Sequence, residues 1–255
     1  MATVEAPTSA AAASAAASVN KNDYFVFDDV HAYYGESYIV QGASFSVSEG
    51  EVLALLGRNG AGKTSTLRTI ARADNPQLRR GRITLAGEDL HTMGAYGAAG
   101  VGVQLVPEDR RIIPGLTVEE NLRLSQIAEP KGWEIERVYE RFPRLAERRR
   151  QEAVTMSGGE QQMLAVARAL CRDLKLLLLD EPYEGLAPVI VQEIESIVGE
   201  IKQAGITTIM VEQNAIAALH LADRAIIMDM GEIVYAGTAQ DVLEDKQLRE
   251  DYLAV

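Results

Sequence analysis

The feature that most constrains the fold is a short glycine-rich segment that directly follows an apolar run. Val52–Leu56 consists of five apolar residues, as expected of a β-strand buried on both faces. The next eight residues match the pattern G-x-x-x-x-G-K-[ST], and Ser65–Ala71 continues as a helix-forming stretch. Such a unit turns backbone N–H groups and a helix start toward one point, which favours a phosphate group. The sequence therefore predicts a phosphate-binding loop formed by Gly57, Arg58, Asn59, Gly60, Ala61, Gly62, Lys63, Thr64 and Ser65.

Two acidic residues follow a second apolar run. Leu176–Leu179 predicts another buried strand, and Asp180 and Glu181 come at its carboxyl end, the edge where open α/β sheets bind ligands. We expect Lys63 to reach nucleotide phosphates, Thr64 and Asp180 to position Mg²⁺, and Glu181 to polarise the attacking water as a general base. The alternative is an acidic strand end that merely faces solvent, and the neighbouring phosphate loop weighs against it.

Strand and helix patterns alternate along the chain, which predicts a mostly parallel sheet wrapped by helices. Val189–Gln203 has isoleucines every three or four residues and is followed by Gly205, as expected of an amphipathic helix. The further predicted strands are Phe25–Tyr33, Ser44–Val47, Arg82–Leu85, Val101–Val106 and Thr207–Glu212.

Two segments depart from this alternation. Thr117–Arg150 contains much charge and no convincing strand, which predicts a helical insertion with its arginines on a solvated face. The alternative is that these arginines dock a partner. The N-terminus is rich in Ala and Ser, and it has no Lys or Arg before Lys21, which disfavours a signal peptide. We therefore expect a disordered tail over residues 1–22 and one domain over 23–255, with its helical subdomain at about 110–165.

Composition limits the classes of function. The 255 residues include 25 basic and 37 acidic side chains, a net charge of −12, which argues against a broad nucleic-acid-binding face. The single cysteine, Cys171, cannot form an internal disulfide. The longest apolar runs have four or five residues, whereas a membrane span needs about 20.

A second glycine motif, M-S-G-G-E-Q-Q at Met156–Gln162, resembles the L-S-G-G-Q signature of ATP-binding-cassette (ABC) ATPases. Taken alone, Ser157 and Glu160 form an S-x-x-E capping box before the helical stretch Gln161–Cys171, so a plain capped helix is the alternative. Together with the phosphate loop, the motif is identified as that of an ABC ATPase. The resemblance implies an α/β fold with a RecA-like P-loop NTPase core and mostly parallel sheet, an N-terminal antiparallel β region and an inserted helical subdomain.

The resemblance also implies further nucleotide contacts. In this family two cassettes pack head to tail, so Ser157, Gly158, Gly159 and Glu160 are expected to complete the ATP site of a partner. Tyr34 matches the aromatic residue that stacks on adenine, although Tyr33 is an equal candidate. Glu108 occupies the position of a glutamine that links the core to the helical subdomain, which implies contact with the nucleotide and its metal.

Two departures from the general family pattern indicate one branch. Gln213 replaces the histidine that touches the γ-phosphate in most members, and Ala187 replaces an aspartate in the loop after the catalytic acid. With V-P-E, G-L-A-P and V-E-Q-N, they resemble the ATPases of branched-chain amino-acid importers. Gln213 is therefore a candidate catalytic residue.

That branch implies an ATP- and Mg²⁺-dependent subunit that couples hydrolysis to permease movement. The expected partners are a second ABC ATPase in a heterodimer or homodimer, transmembrane permeases and, indirectly, a periplasmic solute-binding protein, with no nucleic acid. The expected location is peripheral, on the cytoplasmic face of the inner or plasma membrane. The alternatives are a soluble ABC-type ATPase outside transport and a nucleotide-binding regulator without turnover.

Overall fold

The structure is a computed structural model that describes residues 20, 23–126 and 132–253. Apart from Asn20, the predicted tail at 1–22 lies outside the described residues. The strands are Phe25–Tyr34 (β1), Ser37–Val47 (β2), Val52–Leu56 (β3), Gln77–Leu85 (β4), Glu88–Asp89 (β5), Val103–Val106 (β6), Leu176–Asp180 (β7), Thr207–Val211 (β8), Arg224–Asp229 (β9) and Glu232–Thr238 (β10).

Helices separate most of the later strands. They are Lys63–Ile70 (α1), Ala95–Val101 (α2), Val118–Ser125 (α3), Ile135–Arg141 (α4), Pro143–Glu147 (α5), Gly158–Leu170 (α6), Pro188–Gln203 (α7), Ala215–Leu221 (α8), Ala239–Glu244 (α9) and Lys246–Tyr252 (α10). In the described part of the chain, no helix combines the length and the apolar character needed to cross a bilayer.

The N-terminal strands form an antiparallel sheet in the order β2-β1-β4-β5. Its buried face carries Phe25, Phe27 and Phe45, whose rings lie 4.9 Å and 5.9 Å apart in neighbouring pairs. All three side chains are fully buried. This sheet therefore closes one side of the hydrophobic core and confirms the predicted N-terminal antiparallel region.

The second sheet has the order β10-β9-β3-β8-β7-β6. Its strands are parallel except for β10, which pairs antiparallel with β9. Every residue of β3, β7 and β8 is buried, because α6 and α7 cover one face and the antiparallel sheet together with α1 covers the other. The carboxyl ends of these three neighbouring strands lie side by side, so the segments that follow them meet at one edge.

The segment predicted to be helical contains α3, α4 and α5 in its described part. Thr117 caps α3 in a reciprocal capping box with Glu120, and the three helices pack against the core around Leu122, Val138 and Leu145. The predicted arginine face is exposed, and Arg148 also forms an ion pair of 2.7 Å with the Glu160 carboxylate.

Several boundaries differ from the sequence prediction. The strand predicted at Arg82–Leu85 begins at Gln77, and the strands predicted to end at Tyr33 and Glu212 end at Tyr34 and Val211. The strand predicted at Val101–Val106 begins only at Val103, because Ala95–Val101 is a helix that Gly102 ends at a φ of +114°. The strand predicted at Ser44–Val47 begins earlier, at Ser37, since its first half pairs with β1.

Candidate functional site

A cleft of about 440 Å³ lies at the carboxyl edge of the parallel sheet. Segments that follow β3, β7 and β8 contribute to it, together with one tyrosine and one isoleucine from the antiparallel sheet and one glutamate that follows β6. The lining residues are Tyr34, Ile39, Asn59, Gly60, Ala61, Gly62, Lys63, Thr64, Ser65, Glu108, Glu181, Glu184 and Gln213.

The phosphate loop requires glycine at its first position. Gly57 has a φ of +142°, and a Cβ there would lie 2.2 Å from the carbonyl oxygen of Met228. Gly62 has a φ of +103° and directly precedes α1, whose first N–H groups have no acceptor within the helix. The loop thus fits tightly between β3 and β9, and its backbone turns around the space that a phosphate group would fill.

Lys63 lies under this loop with only 5% of its surface exposed. Its Nζ donates hydrogen bonds to the carbonyl oxygens of Gly57, at 2.9 Å, and Arg58, at 3.2 Å. Burial lowers the pKa of Lys63, while Glu181, Asp180 and Glu212 act in the opposite direction. A phosphate group in the cleft would give this ammonium an anionic partner in addition to the two carbonyl oxygens.

Thr64 and Asp180 are 116 positions apart in sequence and meet at the cleft, where Thr64 lines the wall and Asp180 is buried against it. The Thr64 hydroxyl donates a hydrogen bond of 2.8 Å to Asp180 Oδ1. Asp180 is 1% exposed, and burial raises its pKa, opposed by the bond from Thr64 and by the charges of Arg68 and Lys63. A hydroxyl and a buried carboxylate side by side form the hard oxygen donor set that Mg²⁺ prefers.

Glu181 follows in a left-handed conformation, with a φ of +47°. Its backbone N–H donates to the carbonyl oxygen of Val211 at 2.9 Å. Burial raises the pKa of Glu181, and the Glu184 carboxyl adds to that effect. Glu108 and Glu184 lie within hydrogen-bonding reach of each other, and burial together with Glu184 raises the pKa of Glu108.

The remaining predicted contacts occupy two sides of the cleft. Gln213 Nε2 donates to Asn59 Oδ1 at 3.1 Å, so its amide lies against the phosphate loop. Tyr34 lines the cleft, whereas Tyr33 stacks on the ring of Tyr38 at 4.6 Å and lies under the Arg79 guanidinium.

The glycine signature lies outside this cleft, at the start of α6. Ser157 and Glu160 form a reciprocal capping box, in which the Ser157 hydroxyl accepts from the Glu160 N–H. Glu160 is 5% exposed, and its carboxylate is shared between Ser157 and Arg148, so it stabilises the helix start. Gly158 is close to Arg110: a Cβ there would lie 3.1 Å from Arg110 Nη1.

The described structure adds three residues to the predicted set. Ile39 and Glu184 line the cleft, and Glu212 lies buried behind it. Glu184 lies three residues after Glu181, and the turn after β7 brings it back to the cleft. The acidic residues shortly before it in the sequence could have indicated that Glu184 also belongs to the cleft. Ile39 has no such signal, because it comes from the other sheet.

Comparisons with known proteins agree with these motifs. A family model described as ABC transporter matches residues 40–184. The chain is 44% identical over 230 residues to the high-affinity branched-chain amino acid transport ATP-binding protein BraG of Pseudomonas aeruginosa, covering 89% of this chain and 98% of that relative. The chain belongs to the ABC transporter family. The resemblance drawn from the phosphate loop and the signature is therefore confirmed.

Solved structures of this family have the same fold. A nucleotide-free ATP-binding cassette from an ABC transporter superposes with a TM-score of 0.76 at 23% identity, covering 91% of this chain and 99% of that one. A dimeric bacterial ABC transporter cassette gives 0.75 at 22% identity, covering 84% and 98%. These matches confirm the predicted α/β cassette fold.

Proposed function

We propose that this chain is the ATP-hydrolysing subunit of an importer for branched-chain or related amino acids. The observation that carries the proposal is that Lys63, Thr64 and Glu181 line one cleft of a cassette fold, where Thr64 is hydrogen-bonded to the buried Asp180. The transported substrate class is supported by the 44% identity to a branched-chain amino acid transport ATP-binding protein.

ATP binding follows from the chemistry of the loop. Backbone N–H groups of the turn from Asn59 to Ser65 and the Lys63 ammonium would surround the β- and γ-phosphates. The ring of Tyr34, which also lines the cleft, would stack on adenine. Thr64 and Asp180 would hold Mg²⁺, with Glu108 at the rim, and the ion would neutralise phosphate charge when bound.

Hydrolysis needs a base close to the γ-phosphate. Glu181 would accept a proton from water as the water oxygen attacks the γ-phosphorus and the bond to the bridging oxygen breaks. Gln213 would orient the phosphate through its amide, which cannot titrate. A Glu181→Gln variant should therefore keep ATP binding and lose turnover.

The signature points to a second cassette. Ser157, Gly158 and Gly159 do not line the chain's own cleft and would contact ATP held by a partner, in a two-fold arrangement. Ala187, exposed before α7, lacks the charged side chain usual in this loop, which supports a heterodimer with a related ATPase. We further propose attachment to transmembrane permeases at the cytoplasmic membrane face, with substrate delivered by a periplasmic binding protein.

The test is reconstitution of the chain with its partner ATPase and permeases in proteoliposomes. Uptake of labelled leucine driven by ATP, and absent in the Glu181→Gln complex, is the expected result. ATP hydrolysis by the wild-type chain without permease binding or leucine uptake would overturn the transport proposal in favour of an ABC-type ATPase outside transport.

A further inference from the structure

Glu212 is a buried carboxylate that the proposed chemistry does not use. It directly follows β8, is 3% exposed and is not among the described residues that line the cleft. A carboxylate in such surroundings is stable in its ionised form only when hydrogen-bond donors replace water. The donors that surround Glu212 therefore indicate what it holds in place.

Backbone N–H groups of both loops act on this carboxylate. The Tyr183 N–H donates to Glu212 Oε1 at 2.9 Å, and the N–H groups of Gln213 and Asn214 favour its ionised form and so lower its pKa. Tyr183 belongs to the loop between β7 and α7, which begins with Glu181. Gln213 and Asn214 belong to the loop between β8 and α8. One side chain thus joins the two loops that carry the proposed base and the proposed phosphate-orienting amide.

Both loops depend on such anchors. The left-handed backbone of Glu181 is unfavourable for a residue with a side chain, so its surroundings must hold it. Its N–H is fixed to Val211 in β8, and two residues later Tyr183 is fixed to Glu212. In the other loop, Gln213 reaches Asn59 of the phosphate loop at 3.1 Å.

We propose that Glu212 is a positioning residue, whose carboxylate fixes the loop of Glu181 against the loop of Gln213 so that both side chains face the γ-phosphate together. The inference rests on the proposed ATP hydrolysis for its kinetic consequence. The connection between the loops stands on the hydrogen bonds alone.

The charges around Glu212 give this connection a pH dependence. Burial raises the pKa of Glu212 to about 7, and the Glu181 carboxylate acts in the same direction. Lys63 on α1 interacts electrostatically with Glu212, and Glu195 on α7 lies near its Tyr183 anchor. The buried Tyr183 hydroxyl has no hydrogen-bond partner among the described residues. Protonation replaces an acceptor with a donor, so the connection weakens below about pH 7.

The test compares Glu212→Gln with Glu51→Gln in the full chain. Glu51 is a matched control because its buried carboxylate also accepts a backbone N–H, from Ser48 at 2.7 Å, but at the opposite end of β3 from the phosphate loop. At pH 8 we expect Glu212→Gln to keep KM and ATP affinity and to lower kcat by about 10- to 100-fold, since small misplacements of catalytic groups have effects of that size.

The pH profile separates positioning from general destabilisation. The kcat of the wild type and of Glu51→Gln should fall as pH drops through about 7. The kcat of Glu212→Gln should lack the part of this fall that comes from protonation of Glu212. Glu212→Asp, which keeps the carboxylate, should restore part of kcat and of the pH dependence. Equal kcat and pH profiles in wild type and Glu212→Gln, or an equal loss in both glutamine variants, would overturn the proposal.

Amide hydrogen exchange tests the connection between the loops without any need for turnover. If Glu212→Gln does not fold, the same measurement is made on Glu212→Asp. Exchange in residues 181–187 and 212–216 should accelerate together, and it should stay unchanged in Glu51→Gln. Acceleration of one loop alone would reject the connection. A wild-type chain without ATPase activity would reject the proposed function, while exchange would still decide the role of Glu212.

Discussion

Replacement of Lys63 by methionine should weaken nucleotide binding without destabilising the free protein. Lys63 is buried and its pKa is lowered by that burial, so the ionised side chain opposes folding when no phosphate is present. Methionine keeps much of the apolar stem and removes the charge. The free variant should therefore melt at the wild-type temperature or slightly above it.

The effect on binding has the opposite sign. A charge-assisted hydrogen bond is worth about 1.5–3 kcal/mol, so loss of the ammonium should weaken ATP binding at least about tenfold. At an ATP concentration about 100 times the wild-type Kd, binding stabilises the wild type by about 2.7 kcal/mol and the variant by about 1.4 kcal/mol or less. At about 2–4 °C per kcal/mol, the ATP-induced rise in Tm falls from about 5–11 °C to about 3–6 °C or less.

The assay is thermal unfolding of Lys63→Met and wild type with and without Mg²⁺ and ATP. Lys202→Met is the matched control, since Lys202 forms a 2.7 Å ion pair with Asp223 on the surface and does not line the cleft. An ATP-induced rise equal to that of wild type would refute the role of Lys63, and a large fall in Tm without ATP would refute the reasoning about its burial.

Three further predictions concern local structure. Ser157→Ala should lower the free energy of unfolding by about 1 kcal/mol and impair ATP-dependent dimer formation. The control Thr238→Ala, which removes the capping box of α9, should lower the free energy of unfolding without affecting the dimer. Urea unfolding measures the first effect and sedimentation the second. Gly57→Ala should abolish ATP binding or folding because its Cβ would lie 2.2 Å from a backbone oxygen. The control Gly94→Ala should be neutral, since a Cβ at that position would meet no atom within 4 Å. Calorimetry measures ATP binding, and circular dichroism measures folding. Ionised Glu212 connects the two loops, but its pKa, raised by burial to about 7, means that ionising this carboxyl costs free energy of folding. The stability of the wild type should therefore be highest below the unfolded pKa near 4.5 and should fall as pH rises through about 7, and Glu212→Gln should remove that part of the pH dependence in urea unfolding at pH 4–8.

Much of the cleft follows from local sequence. The apolar run Val52–Leu56 matches β3 at both ends, and the run Leu176–Leu179 matches β7 except that the strand continues to Asp180. The helix predicted at Val189–Gln203 starts one residue earlier, at Pro188. The roles assigned to the cleft residues and the helical subdomain boundary remain predictions.

Residue types and their spacing along the chain thus determined the phosphate loop, the alternation of strands and helices and the candidate acidic residues, because these depend on contacts within a few residues. Only the tertiary structure decided the order of the sheet, in which β9 and β8 flank β3, and the meeting of Thr64 with Asp180. It also decided that Tyr34 rather than Tyr33 lines the cleft, and that Glu212 joins two loops. Such neighbours are set by which strands pair and which faces are buried, and that choice is made by the packing of the whole core.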